Sequence, residues 1–170
     1  MGVTTYMGRA RRALLHKQNS VYWVAIGKTS PWENEEAPPE AQPGSALLEE
    51  PVIYVKPTNV SLCKIVSSGE DITHLGTKYA FVNDSNAIEE NARFMYIFAR
   101  FDPTAGQPYN DFRQIAVFSN LIPAEGHDGD SWLAPSNVTS EGLLEFIAHD
   151  IVTVMANTRL EVVEVMLEFR

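Results

Sequence analysis

Long apolar runs, paired cysteines and clustered histidines are all missing from this 170-residue chain. Without a stretch of about 18 apolar residues, no segment reads as a membrane-spanning helix, and no membrane partner is expected. The single cysteine, Cys63, excludes an internal disulfide. It lies in the apolar-alternating stretch 60–66 and reads as a packed thiol rather than a nucleophile. The basic N-terminus lacks an apolar segment before a cleavage site, so no secretion signal is expected, and work or assembly in a reducing cytosol is. His16, His74, His127 and His149 stand far apart in sequence. The turn Gly126–Asp130 offers oxygen ligands but lacks the bidentate glutamate and spacing of a calcium loop. Zinc signatures, a nucleophile elbow and a glycine-rich dinucleotide turn are also wanting. The expectation is therefore of no catalytic residue, no metal, no cofactor and no small-molecule substrate.

Charge of one sign is missing from two segments. Residues 1–28 carry Arg9, Arg11, Arg12, Lys17 and Lys28 and no acid, while the remainder holds 8 basic and all 22 acidic residues, a net charge of −14. Residues 29–51 hold Pro31, Pro38, Pro39, Pro43 and Pro51 with six glutamates, and no lysine or arginine. A basic arm on an acidic body suits docking onto another protein better than onto nucleic acid, which an acidic body repels. The proline-broken, acidic segment reads as a long, irregular, solvated loop, expected to be mobile in the free subunit over 33–50.

One stretch imitates a nucleotide site. The run "YWVAIGKTSPW" at 22–32 ends in the Gly-Lys-Thr of a phosphate-binding loop. Such a loop requires a glycine five residues earlier and a helix directly after the threonine, so that main-chain N–H groups surround the phosphates. Tyr22 occupies the early position, and Ser30-Pro31-Trp32 followed by glutamates occupies the later one. The bulky, β-prone run instead predicts a buried strand closed by a turn, in which Gly27 permits the tight bend and Pro31 stiffens it. Trp32, isolated in polar sequence, is a candidate contact residue; the alternative is that it folds back on its own sheet.

What is present is mostly β-pattern. Thr4 or Thr5 can cap a helix over 4–18, where Tyr6, Met7, Ala10, Leu14 and Leu15 recur near helical spacing. Strands are expected at 20–26, 52–55, 60–66, 79–82, 93–101, 112–118 and 160–169, with 93–101 and 112–118 paired as neighbours. Residues 141–156 fit either a helix or a strand. Arg113, set among apolar residues, is expected to pair with Asp102, Asp111 or a partner's carboxylate. The fold class is mainly β, an antiparallel sheet or sandwich with an N-terminal helix and long irregular loops. Its organisation is a basic helical arm, 1–19, and one β-rich domain, 20–170, bearing the acidic loop at 29–51.

The strand and turn "YWVAIGKTSPW" with its acidic, proline-rich sequel resembles the N-terminal signature of baseplate wedge proteins of contractile-tailed bacteriophages. "MYIFARFDP" at 95–103, "FRQIAVF" at 112–118 and "VVEVMLEF" at 162–169 resemble, in order, that group's aromatic, Arg-Gln-Ile and terminal strands. The chain is shorter than the two-domain members, and the resemblance does not extend to its basic arm. It implies a non-enzymatic virion subunit that bridges tail and baseplate neighbours and copies of itself. A collar, neck or tail-completion subunit, or a carbohydrate-binding β domain using Trp32 and Trp132, is the alternative. Expected interface residues are Tyr6, Arg9, Arg11, Arg12, Leu14, Leu15, Gly27, Lys28, Pro31 and Trp32.

Overall fold

The computed structural model describes residues 3–44 and 47–170. In chain order its elements are α1 (Tyr6–Asn19), β1 (Tyr22–Gly27), β2 (Ile53–Val55), β3 (Asn59–Ile65), β4 (Ile72–His74), β5 (Thr77–Val82) and β6 (Phe94–Phe101). They continue with β7 (Phe112–Ser119), β8 (Ile122–Pro123), β9 (Trp132–Leu133), β10 (Val138–Ser140), β11 (Leu143–Thr153) and β12 (Glu161–Glu168). The protein is mainly antiparallel β with one N-terminal helix, as the period-two patterning predicts. Two compact units are formed: residues 1–20, 58–98 and 164–170, and residues 21–57 and 99–163.

In the first unit the strand order is β12-β6-β3-β5-β4. Cys63 faces Phe94 and Leu62 faces Met95 across β3 and β6, and Ile65 faces Tyr79 on β5. Cys63, Tyr79, Phe94 and Tyr96 form a buried cluster with Phe98 and Met166 against it. Burial pushes the Cys63 thiol up to about 12, so it packs as an inert side chain.

Helix α1 belongs to this unit. Thr5 caps it by accepting from the Gly8 N–H at 3.1 Å. Its inward residues are Ala10 and Ala13, both fully buried. Alanines let a helix approach a sheet closely, whereas large side chains hold it off. Lys17 then pairs with Asp84 at 2.6 Å, the His16 ring meets Phe169 edge-on at 5.4 Å, and Arg12 donates to the Arg170 carbonyl at 2.8 Å. The larger apolar residues point away: Tyr6 is 60% exposed, Met7 58% and Leu15 46%.

In the second unit the order is β11-β7-β1-β2-β9, with a separate β10-β8 pair. Strand β1 is central and every residue is buried, which is why its sequence is apolar without alternation. Trp23 faces Phe118 and Val24 faces Val117 on β7, and on its other side Val24 faces Val55 on β2. Trp23, Ala25, Leu48, Tyr54, Phe118 and Leu133 are at the heart of its core. The Tyr54 hydroxyl reaches the Glu141 carboxylate; burial, then that carboxylate, raises it above the ordinary tyrosine value.

One expectation is corrected here and one open alternative is resolved. Residues 93–101 and 112–118 do not pair: β6 joins β3 and β7 joins β1 and β11. The connector between them is a turn capped by Asp102 and closed by left-handed Gly106, which sends the chain into a different sheet instead of a hairpin. Residues 143–153 are a strand. Its register against β7 slips between Leu144 and Phe146 and again between His149 and Thr153. Such bulges break the two-residue period and leave apolar residues at quasi-helical spacing.

Candidate docking surface and the clasped loop

Each end of the 28–51 loop is held by hydrogen bonds that begin where β1 ends. A Cβ at Gly27 would lie 2.4 Å from the Glu49 carbonyl oxygen, so glycine is required for close approach. The left-handed turn falls one residue later, on Lys28 (φ 59), and is met across the loop by Glu50 (φ 44). That corrects the expectation that Gly27 provides the bend. The Lys28 N–H donates to the Glu49 carbonyl at 2.6 Å and its ammonium pairs with the Glu49 carboxylate at 2.8 Å. The Gly-Lys-Thr sequence therefore closes a loop; its lysine is occupied by a carboxylate rather than presented to a phosphate.

Glu50 accepts from the Ser30 hydroxyl and N–H, both at 2.7 Å, and from the Thr29 hydroxyl at 2.8 Å. These bonds, the Ser30 hydroxyl foremost, lower its carboxyl from 4.5 to about 2. With the folded value depressed, this contribution to stability is present above pH 4.5 and lost as pH falls through 2. Pepsin should therefore spare the loop base near the upper end of that window and cleave it near the lower end. Glu50→Gln should be cleaved at both, and equal cleavage of the two proteins at the upper end would contradict this clasp.

Arg113 grips the loop from β7. Its Nε lies 2.8 and 3.0 Å from the Glu35 oxygens, and its Nη1 donates to the Thr29 carbonyl at 2.7 Å. The expected partners, Asp102 and Asp111, are engaged elsewhere: Asp102 accepts from the Thr104 N–H and Asp111 from the Met155 N–H. The Arg113 hydrogen bond holds the Glu35 carboxyl below its ordinary value. Next along β7, buried Gln114 accepts from the Glu49 N–H at 2.8 Å. Its amide nitrogen lies 3.0 Å from His149 Nε2, whose Nδ1 is 2.8 Å from the Pro39 carbonyl oxygen. Donors and acceptors match when His149 is neutral and carries its proton on Nδ1. Trp32 folds back, packing at a tilt against His149 with ring centroids 5.0 Å apart and donating its indole N–H to the Asp150 carbonyl at 2.9 Å. The loop is irregular as expected, and its described residues are fastened at many points; residues 45 and 46 of the segment expected to be mobile lie outside the described residues.

Nine of the ten expected interface residues fall into two clear groups. Gly27, Lys28, Pro31 and Trp32 lie on the clasped loop; Pro31 alone of these is fully outward. Tyr6, Arg9, Arg11, Arg12 and Leu15 lie on α1, all exposed except Arg9, which like Leu14 is half-buried. The Tyr6 ring sits between two guanidinium groups, Arg9 at 5.7 Å and Arg93 at 4.6 Å. Both Nε atoms are buried without a hydrogen-bond partner; the Glu168 carboxylate stands 3.8 Å from that of Arg93. Shallow clefts of about 230 and 340 Å³ open against Tyr6, one toward Ile65 and Arg93 and one toward Val3 and Arg9. Arg93, Gln114 and His149 are the important residues that sequence reasoning missed, since each acts on a segment distant in sequence.

These features define a mainly antiparallel β protein whose notable sites are surfaces and fastened loops. The family described as baseplate wedge 3 tail fiber network component matches residues 1–169, and the chain belongs to that family. The match includes the basic arm. Virion protein 3 of Enterococcus phage phiEF24C is 32% identical over 154 residues, covering 86% of this chain and 83% of that protein. The chain is thus a structural component of the phage virion, in the baseplate wedge, where it interacts with other baseplate and tail proteins.

Proposed function

We propose that this chain is a non-enzymatic bridging subunit that docks on its neighbours during tail assembly through the outer side of α1. The observation that carries this reading is the division of labour on the helix. Small Ala10 and Ala13 anchor it, while Tyr6, Met7 and Leu15 are left outward among Arg9, Arg11 and Arg12. Apolar side chains flanked by arginines are the composition of interface centres. Each large side chain fully buried contributes about 1.5–3 kcal/mol, against about 0.2–1 kcal/mol for an exposed ion pair. The apolar contacts therefore dominate affinity, and the arginines select an acidic surface. The turn residues Gly27, Lys28 and Trp32 act by shaping the clasped loop, with Pro31 on its outer side.

The triple variant Tyr6→Ser/Met7→Ser/Leu15→Ser tests the reading, because these exposed side chains contribute little to the fold. It should show the circular dichroism and melting behaviour of the parent, yet be absent from tails assembled in a complemented infection. A triple variant incorporated at the parent level would refute docking through α1.

A further inference from the structure

The two faces of opposite charge on this chain have matching chemistry. On α1, the Tyr6 ring and its two guanidinium groups form shallow aromatic clefts, beside which Lys64 is already neutralised by Glu90 at 2.7 Å. On the clasped loop, the six glutamates divide into two sets. Glu35, Glu49 and Glu50 are held within the subunit by Arg113, Lys28 and the Ser30–Thr29 pair. Glu33, Glu36 and Glu40 are exposed and enter no ion pair among the described residues, and Pro31, Pro39 and Pro43 are exposed beside them.

We propose that the Tyr6 clefts receive the acidic, proline-rich loop of a second copy of this chain. The inference rests on the docking reading above and names its partner. Proline-rich segments lodge against aromatic rings because their extended backbone is already ordered. Residues 33–37 of this loop form bends and a turn rather than that extended backbone, and the order here comes from Trp32, His149, Arg113 and Gln114, so little freedom remains to be lost on binding. Free carboxylates on the loop answer the basic row Arg9, Arg11 and Arg12 along α1, of which Arg11 and Arg12 are exposed. Because the cleft and the loop are different surfaces, the contact is head-to-tail. Each copy keeps one cleft and one loop for further copies, as repetition around an axis requires.

The test uses the full chain in sedimentation equilibrium over a range of concentrations and salt. The parent should self-associate in low salt and dissociate as salt rises. Arg9→Glu alone, and Glu33→Lys/Glu36→Lys/Glu40→Lys alone, should each associate about tenfold or more weakly. A mixture of the two should regain association, because the intact cleft of the loop variant then meets the intact loop of Arg9→Glu. A parent that stays monomeric, or a mixture that does not recover, overturns the proposal. Virion incorporation separates this failure from failure of the docking reading. If Arg9→Glu is excluded from tails while the loop variant enters them normally, α1 docks on a different protein and only the second-copy proposal falls. If Arg9→Glu also enters normally, both fall.

Discussion

Replacing Trp23 with alanine lowers the stability of the second unit by about 3–5 kcal/mol. Trp23 is 1% exposed on the central strand β1, facing Phe118 across the ladder and lodged with Tyr54 and Leu133. Strand β1 lies between β7 and β2, so the surrounding chain cannot collapse into the vacated space. The ammonium of Lys56 lies 5.0 Å from its ring centroid and loses that contact too. A total of this size is a large fraction of the stability of an ordinary protein, and the variant should unfold at far lower urea than the parent. Trp23→Phe keeps most of the apolar volume and should fall between the two. If Trp23→Ala unfolds within about 1 kcal/mol of the parent, the packing described around β1 is wrong.

Gly142→Ala should be the next most damaging change, for reasons that have nothing to do with a lost contact. Gly142 has a φ of +74, and a Cβ there would lie 2.2 Å from the Ser119 carbonyl oxygen and 2.7 Å from that of Asn120. The first feature costs an L-residue about 1–2 kcal/mol. The second demands that main chain move, at about 1–3 kcal/mol. Leu143 is the first residue of β11 to pair with β7, opposite Ser119, so displacement at 142 unpicks the start of that ladder. Hydrogen exchange should show loss of protection at the Ser119 end of the β7–β11 pairing before it appears at the Phe112 end. Uniform protection in Gly142→Ala would mean that the backbone there accommodates a side chain.

The features legible in the sequence are those set by neighbours along the chain. The threonine cap of α1, the doubly buried β1 and the alternating terminal strand all follow from local pattern. Tyr22 at the early glycine position, the bulky run after it, and Pro31 with its acidic sequel already argue against a phosphate loop, and the ion pair of Lys28 with Glu49 supplies the structural reason. Patches of strand and turn sequence also resembled the wedge group to which the chain belongs.

Long-range pairing was not legible. Composition marked 29–51 as solvated, because proline and glutamate give no local reason to pack. Its order comes from Arg113, Gln114 and His149, which reach Glu35, Glu49 and Pro39 from distant strands. Nor did periodicity reveal which face of α1 turns inward. Size would have favoured Tyr6, Met7 and Leu15, yet helix-to-sheet distance selected Ala10 and Ala13. The bulges of β11 disguised a strand as a mixed pattern.

Density for the baseplate of intact virions, at a resolution that shows side chains, tests the central claim most directly. The account predicts Tyr6, Met7 and Leu15 buried against a neighbouring chain, with carboxylates facing Arg9 and Arg11. Finding that side of α1 bathed in solvent, while the subunit is held in the wedge by other surfaces, would contradict it.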